Sequence, residues 1–532
     1  MNVQKNSINL AMQGAVILTI AGLITKILSA AYRVPYQNIV GDIGFYIYQQ
    51  VYPFYGMGVI LATSGFPVMI SKVMTDYGYG KSLHIRSKIM TIIFLYLTII
   101  GVVLSATLYI FSDNIAAYMG DPNLTALIQV TSIAFLVVPI ISVFRGYFQF
   151  EQNMQPTAIS QIIEQSIRVS VILVSSYYMV RAGYNLYEAG FGALVGSIVG
   201  SVAGLILLLV FWARKKQHTK IRWNISAPIQ TWEILTSLIK YSWTIALSSL
   251  LLILIQLVDA LNLYSLLIGG GMGEVLAKET KGVYDRGQPL IQLGTVVATS
   301  LALSLVPVIA SAKFQKNSKL IHEKVNLSLK VCIVVGAGAT AGLIAIIRPT
   351  NIMLFTNASG SNVLMILSAS ILFTSLCLTM FAILQGLGYT FFPALSVLIG
   401  VGAKYLANIW LIPLYGVSGA AVSTVLSYCL IAILTGLFMT VKGYSFKEKK
   451  CLVKISLAIV MMFLIICSLL TVVGLVIDLD NRLNATFASF FGVMVGGSLY
   501  GWLIIKLNVF SRNELQYIPI AKKGLKKEKW GS

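Results

Sequence analysis

Five ionisable residues, Lys26, Glu164, Arg168, Asp259 and Lys404, stand inside long apolar runs of this 532-residue chain. A charged side chain in hydrocarbon costs about 2.5–3.5 kcal/mol on insertion scales unless it is paired or faces water, so each marks a candidate site. Their neighbours sharpen the pattern. Gln161, Glu164 and Arg168 recur at i, i+3 and i+7, which shares one helical face and sets Glu164 and Arg168 close enough to pair. Gln256, Asp259 and Asn262 form a second stripe. Lys26 and Arg33 lie two turns apart, Arg33 near the outer mouth, and Lys404 and Asn408 lie one turn apart. Lys26, Arg33 and Lys404 suit an anionic substrate. Asp259 suits a coupling cation or a proton, or neutralises one of those cations. The plainer alternative makes Glu164 and Arg168 a neutral structural pair and lets Lys26 snorkel to the interface.

The elements that must position these groups are membrane spans. With 57% hydrophobic and 11% charged residues, the chain is far too apolar for water, where about 25% charged is usual. Runs of the roughly 20 residues that cross a bilayer recur throughout. Spans are expected near 9–32, 44–70, 89–111, 124–147, 156–180 and 187–213, then 241–267, 288–311, 325–348, 362–386, 391–412 and 417–440, then 452–476 and 485–505. The expected fold is therefore an all-α membrane protein of about fourteen transmembrane helices, in two pseudo-symmetric six-helix lobes plus two C-terminal helices. The lobes are 1–213 and 241–441, joined by a basic cytoplasmic connector, 214–240; the last pair occupies 442–510 and a lysine-rich tail 511–532. Placing the N-terminus inside gathers most of the 39 Lys/Arg on the side that holds both ends, as the positive-inside rule asks. The net charge of +21 then reads as topology and contact with anionic lipid, and no nucleic-acid partner is expected.

The two lobes match where mechanics would need them to. Pro53 and Pro67 frame the second span and Pro289 and Pro307 the eighth, where prolines inside a helix would bend it or let it hinge. Spans one and seven, and five and eleven, carry the buried charges, which suggests one shared polar cavity between two lobes related by an axis along the membrane normal. Asp285 and Arg286 sit at the mouth of span eight. The loop before them, with Gly269 to Gly273, Glu274, Lys278, Glu279, Lys281 and Asp285, reads as a flexible turn and a solvated rim, since no GK[ST] motif or strand accompanies the glycines. The five cysteines form no CxxC pair and the three histidines fall in basic loops, so neither metal nor disulfide is expected.

Longer stretches carry a resemblance. Gly22-Leu-Ile-Thr-Lys26, Tyr32-Arg33-Val-Pro35, Gly41-Asp42, Tyr52-Pro53, Thr63-Ser-Gly-Phe-Pro67-Val-Met-Ile-Ser-Lys72, Arg145-Gly-Tyr-Phe-Gln149, Pro156-Thr-Ala-Ile-Ser-Gln161-Ile-Ile-Glu164-Gln-Ser-Ile-Arg168 and Tyr284-Asp-Arg286-Gly-Gln-Pro289 resemble the SpoVB/YtgP group of polysaccharide transporters. That group is MurJ-like and belongs to the multidrug/oligosaccharidyl-lipid/polysaccharide (MOP) flippase superfamily. The resemblance implies a flippase that moves an undecaprenyl-pyrophosphate-linked saccharide, a lipid II-like peptidoglycan precursor or another cell-envelope unit, from inner to outer leaflet by alternating access. It implies a bacterial plasma-membrane protein, a monomeric transport unit and not an enzyme. The expected partners are membrane lipid, the lipid-linked saccharide and cell-wall synthesis enzymes. No cofactor is expected; the energy source is the membrane potential or an H+ or Na+ gradient. Two other classes compete. A cation-coupled drug antiporter of the MATE type would usually have twelve spans and an acidic cavity. A membrane glycosyltransferase or polymerase would need carboxylates or a metal at an interface.

Overall fold

The computed structural model describes residues 2–215, 231–303, 305–446, 448–511 and 514, which are helical nearly throughout and hold no strand. Most of the expected connector, 216–230, and the lysines of the tail lie outside the described residues. The longer helices are α1 (Asn2–Ala31), α2 (Arg33–Ile60), α3 (Phe66–Gly78), α4 (Leu83–Ile110), α5 (Thr125–Phe150), α6 (Gln155–Arg181) and α7 (Leu186–Ala213). There follow α8 (Thr231–Tyr241), α9 (Leu251–Gly269), α10 (Glu274–Asp285), α11 (Gly287–Leu303), α12 (Val306–Phe314) and α13 (Ser318–Phe355). The chain continues with α14 (Ser361–Ser368), α15 (Ser370–Gly386), α16 (Phe391–Tyr415), α17 (Val417–Val441), α18 (Lys449–Val476) and α19 (Arg482–Lys506).

Twelve stretches among the described residues are long and apolar enough to cross a bilayer, and the first, Val16–Gly78, runs 63 residues, several times the length one crossing needs. This is a multi-pass membrane protein. Helix starts are set by local chemistry. Asn185 opens α7 with a capping box, its side chain accepting from the Glu188 backbone N–H while Glu188 Oε2 accepts from the Asn185 N–H. Asn317 and Asn481 cap α13 and α19 in the simpler way.

Two compact units result. One comprises Met1–Asp285 and Pro393–Ser423, so that it holds α8, α9, α10 and nearly all of α16 together with α1 to α7. The other comprises Arg286–Phe392 and Thr424–Ser532. In the second unit the long α13 packs on α11, α15, α18 and α19. Val334, Cys451, Ile455, Ala458, Leu503 and Ile504 form a buried cluster where α13 meets the last two helices.

Three local expectations are corrected. The first expected span does not end at residue 32, because the helical path of α1 runs through Tyr32, whose N–H bonds Leu28 O, into α2 and turns only at Gly41. That residue has φ 69 and ψ −175, a region open in practice to glycine alone. Two of the four framing prolines are also differently placed. Pro53 lies inside α2 and Pro67 lies just after a π-turn within the same unbroken helical run, whereas Pro289 and Pro307 fall in the first turns of α11 and α12, where no intrahelical bond is lost and the fixed φ helps start the helix. The local irregularities are a π-turn at Leu61–Gly65 ahead of Pro67 and a turn at Leu305 ahead of Pro307. Finally, α10 is a solvated rim on one side only: Glu274 and Glu279 are exposed, but Ala277, Lys281, Tyr284 and Asp285 make one buried face.

Candidate functional site

The first unit collects the charged residues through a glycine ladder. Gly196, Gly200 and Gly204 repeat at i, i+4 and i+8 on α7, and small residues at that spacing let two helix backbones approach closely. A Cβ on Gly200 would lie 2.8 Å from Glu164 O and 3.1 Å from Arg168 Cα. α6 is thus pressed onto α7, which turns Glu164 and Arg168 toward different neighbours.

Glu164 and Arg168 are therefore not partners, contrary to their helical spacing. Glu164 Oε2 accepts from Arg145 NH2 of α5 at 2.7 Å, and Oε1 accepts from Ser201 at 3.1 Å. Arg145 also donates to Ser160 Oγ at 3.2 Å and to Ala62 O, in the π-turn, at 3.2 Å. Four segments are tied by this fully satisfied pair. Gln161, one turn away, donates to Thr63 O in the same π-turn at 3.4 Å.

Arg168 points instead into a nest of tyrosines from α1 and α2. It donates to Tyr32 and Tyr48 hydroxyls, both at 3.3 Å, and lies 4.6 Å over the Tyr55 ring. Arg33 lies 4.4 Å over the Tyr52 ring. Both arginines are 1% exposed, yet neither has a carboxylate within ion-pair distance among the described residues, and Arg33 Nε, Arg33 NH1 and Arg168 Nε have no hydrogen-bond partner. Aromatic faces stabilise a buried guanidinium by up to about 2 kcal/mol, less than an ion pair in such surroundings. Gln50, fully buried on the same helix α2, has both amide atoms unpartnered. Buried donors without partners are rare in folded proteins, and a cluster of them marks a place where something else binds.

A second network joins α9, α16 and α17. Lys404 Nζ lies 2.7 Å from Asp259 Oδ1, and Asn408 Nδ2 donates to Asp259 Oδ1 at 3.0 Å and to Asn262 Oδ1 at 2.8 Å. Tyr284 of α10 donates to Asp259 Oδ2 at 2.7 Å. Helix α10 stands between the networks. Its Lys281 pairs with Asp285 at 2.6 Å, Asp285 is within electrostatic reach of Arg33 and Asp259, and Lys281 is within reach of Lys404. Burial pushes the Asp285 carboxyl up to about 6 despite Lys281. Counting Arg33, Arg168, Lys281, Lys404, Asp259 and Asp285, cations outnumber carboxylates in this interior.

The remaining expected residues are not drawn in. Lys26 is exposed and separate from buried Arg33, because seven residues of helix carry it out of the tyrosine nest. Gln256 is half-buried on α9 and makes no bond to Asp259 or Asn262. Arg286 belongs to the second unit, where it is fully buried, donates to Asn351 and Asn357 at 3.2 and 2.8 Å and lies over Phe355. No group of His, Cys, Asp and Glu among the described residues is arranged to hold a metal. Residues not anticipated from the sequence are Arg145 as the partner of Glu164, and Lys281 and Tyr284. For these last two the signal was present in the i, i+4, i+7, i+8 spacing of Ala277, Lys281, Tyr284 and Asp285.

α10 seals against α2 at Gly282, where a Cβ would lie 2.1 Å from the Asp42 carbonyl oxygen beside the Gly41 turn. Gly282→Ala should force the helices apart by a contact that backbone cannot relieve, loosening α10 by roughly 1–3 kcal/mol. Hydrogen exchange of the amides in 274–285 is expected to speed up about tenfold or more, while α6 and α7 exchange as before.

A chain helical nearly throughout, with a buried cationic interior in its first unit, is an all-helical membrane protein of the MurJ and MATE fold. A solved lipid II flippase MurJ in an inward closed conformation matches with a TM-score of 0.68 at 14% identity over 92% of this chain and 99% of that one. An inward-facing MATE family multidrug resistance transporter of the MOP superfamily matches with a TM-score of 0.62 at 16% identity over 81% and 96%. The family described as polysaccharide biosynthesis protein matches residues 11–313, and the chain belongs to it. Among Bacillus subtilis (strain 168) proteins, it is 46% identical to the uncharacterized membrane protein YabM over 96% of this chain and 95% of that protein. It is 26% identical to the lipid II flippase MurJ over 92% and 94%, and 25% identical to stage V sporulation protein B over 96% and 98%.

Proposed function

We propose that this chain is a flippase that carries an undecaprenyl-pyrophosphate-linked saccharide, lipid II-like or another cell-envelope unit, from the inner to the outer leaflet by alternating access. The observation that carries the reading is the pair of buried arginines, Arg33 and Arg168, with unpartnered guanidinium donors and no carboxylate within ion-pair distance among the described residues. A guanidinium presents a planar fork that matches paired phosphate oxygens, and a pyrophosphate supplies them. The sugar and lipid need no such charge. The MurJ relative, whose name states lipid II as its substrate, supports a lipid-linked cargo.

Under this reading the chain is a transporter and not an enzyme, takes no cofactor, and works as a monomer in a bacterial plasma membrane with about fourteen spans and both termini in the cytoplasm. The membrane potential or an H+ or Na+ gradient drives it, and cell-wall synthesis enzymes receive its product. Lys26 and Gln256 serve as outlying cavity residues that meet the head group before the buried arginines do. The test is expression in cells depleted of their lipid II flippase. Growth is expected to return and lipid II to become accessible to an external probe. Properly inserted protein that restores neither would assign the arginines to a different lipid-linked polysaccharide.

A further inference from the structure

We propose that the oxygen cage around Lys404 is a monovalent-cation site whose occupant is the lysine ammonium itself, so that the native chain binds no free ion there and acquires one when the lysine is removed. An ammonium has three donors and no acceptor. Lys404 Nζ meets Asp259 Oδ1 at 2.7 Å, Ser423 Oγ at 2.8 Å and Ala420 O at 2.9 Å. A carboxylate, a hydroxyl and a peptide carbonyl satisfy the three donors of the ammonium, and the same hard oxygen ligands are those that bind alkali and alkaline-earth cations.

The cage is also built as ion sites are, with each ligand oriented from behind. Asn408 donates to Asp259 Oδ1, Tyr284 holds Asp259 Oδ2, and the Ser423 hydroxyl donates to Asn408 Oδ1, so that its lone pairs face the ammonium. Lys404, Asn408, Ser423 and Ala420 are wholly buried and Asp259 is 1% exposed, so charge must balance within the cage. One carboxylate meets one ammonium. A free cation added to this pair would be a surplus charge, and Lys281 nearby opposes it further. The inference reaches beyond the transported substrate and does not depend on it. Of the two ion gradients proposed as drivers, it removes Na+ binding at this cage.

The experiment uses purified full-length protein in detergent, with no lipid substrate, so its failure is separate from failure of the flippase reading. Thermal unfolding is followed in lithium, sodium, potassium and methylammonium chloride against choline chloride at equal ionic strength. The wild type is expected to unfold at one temperature in all five salts. Lys404→Ala is expected to unfold earlier in choline and to be restored saturably by at least one small cation, as ligand linkage requires. Lys404→Ala combined with Asp259→Asn should respond to none. Should the alanine variant not purify, Lys404→Gln, which keeps a polar head without charge, takes its place in the same titration. Either of two results overturns the proposal: a saturable alkali-ion stabilisation of the wild type that Asp259→Asn abolishes, or a folded Lys404 variant indifferent to every cation.

Discussion

An Arg33→Gln protein is expected to fold and insert like the wild type while moving its substrate about 100-fold more slowly. The two halves of that result have one cause. Arg33 is buried with two guanidinium nitrogens unpartnered and no carboxylate within ion-pair distance among the described residues, so it is a charge held out of water whose nearest compensation is neutral, the Tyr52 face foremost. Removing such a charge relieves a desolvation cost instead of breaking a pair, and the thermal midpoint should stay level or rise. Binding is another matter. Truncating one partner of a buried charge-assisted hydrogen bond to an anion costs about 2–5 kcal/mol, which is about 30-fold to several thousand-fold in rate or affinity. Arg33→Lys should recover part of the loss, because it keeps the charge and gives up the fork. Leaflet accessibility of the lipid-linked saccharide, measured beside thermal unfolding of the same preparation, reads both halves. An Arg33→Gln protein that transports normally, or that loses activity only because it unfolds, would show the arginine to be structural.

Arg168 is predicted to behave differently, and the contrast reflects its neighbours. It holds Tyr32 and Tyr48 hydroxyls and stacks on Tyr55, so its loss frees aromatic groups that pack α1 and α2 against α6.

Much of this arrangement is legible in the amino-acid order alone, for a physical reason. Hydrocarbon makes an intramembrane charge so expensive that Glu164, Arg168, Asp259 and Lys404 announce themselves against apolar surroundings, and helical spacing links Asp259 with Asn262 and Lys404 with Asn408. All-helical architecture follows from the same solvent, since only internal hydrogen bonding survives in lipid. Partner choice is not legible in this way. Glu164 and Arg168 satisfy the i, i+4 rule, yet three glycines on α7 and a guanidinium from α5 redirect them, and neither influence is local in sequence. Proline shows a related limit: Pro289 and Pro307 look like kinks within apolar runs, but each stands in the first turn of a helix, whereas Pro67 does sit within a continuous helical run, just after a π-turn. α10 is missed for the opposite reason. Its charges suggest solvent, whereas Lys281 and Asp285 neutralise each other at 2.6 Å and so can be buried against α2.

The second large effect concerns the pair that the structure satisfies fully. Glu164→Ala leaves Arg145 buried at 0% exposure with its guanidinium stripped of its only carboxylate among the described residues, and breaking a buried pair from one side costs about 3–5 kcal/mol. A fall in thermal midpoint on the order of 10 °C is expected for a unit of this size. Glu164→Gln should lose less, since its amide oxygen can still accept from Arg145 or Ser201. Glu164→Leu with Arg145→Met should regain most of the stability, because removing both charges abolishes the desolvation term along with the attraction. That pattern is the opposite of the one for Arg33, where removing a single charge is expected to leave stability intact and destroy transport. If Glu164 were instead a substrate or proton ligand, Glu164→Gln would fold at the wild-type midpoint and fail to transport, and the double replacement would restore nothing.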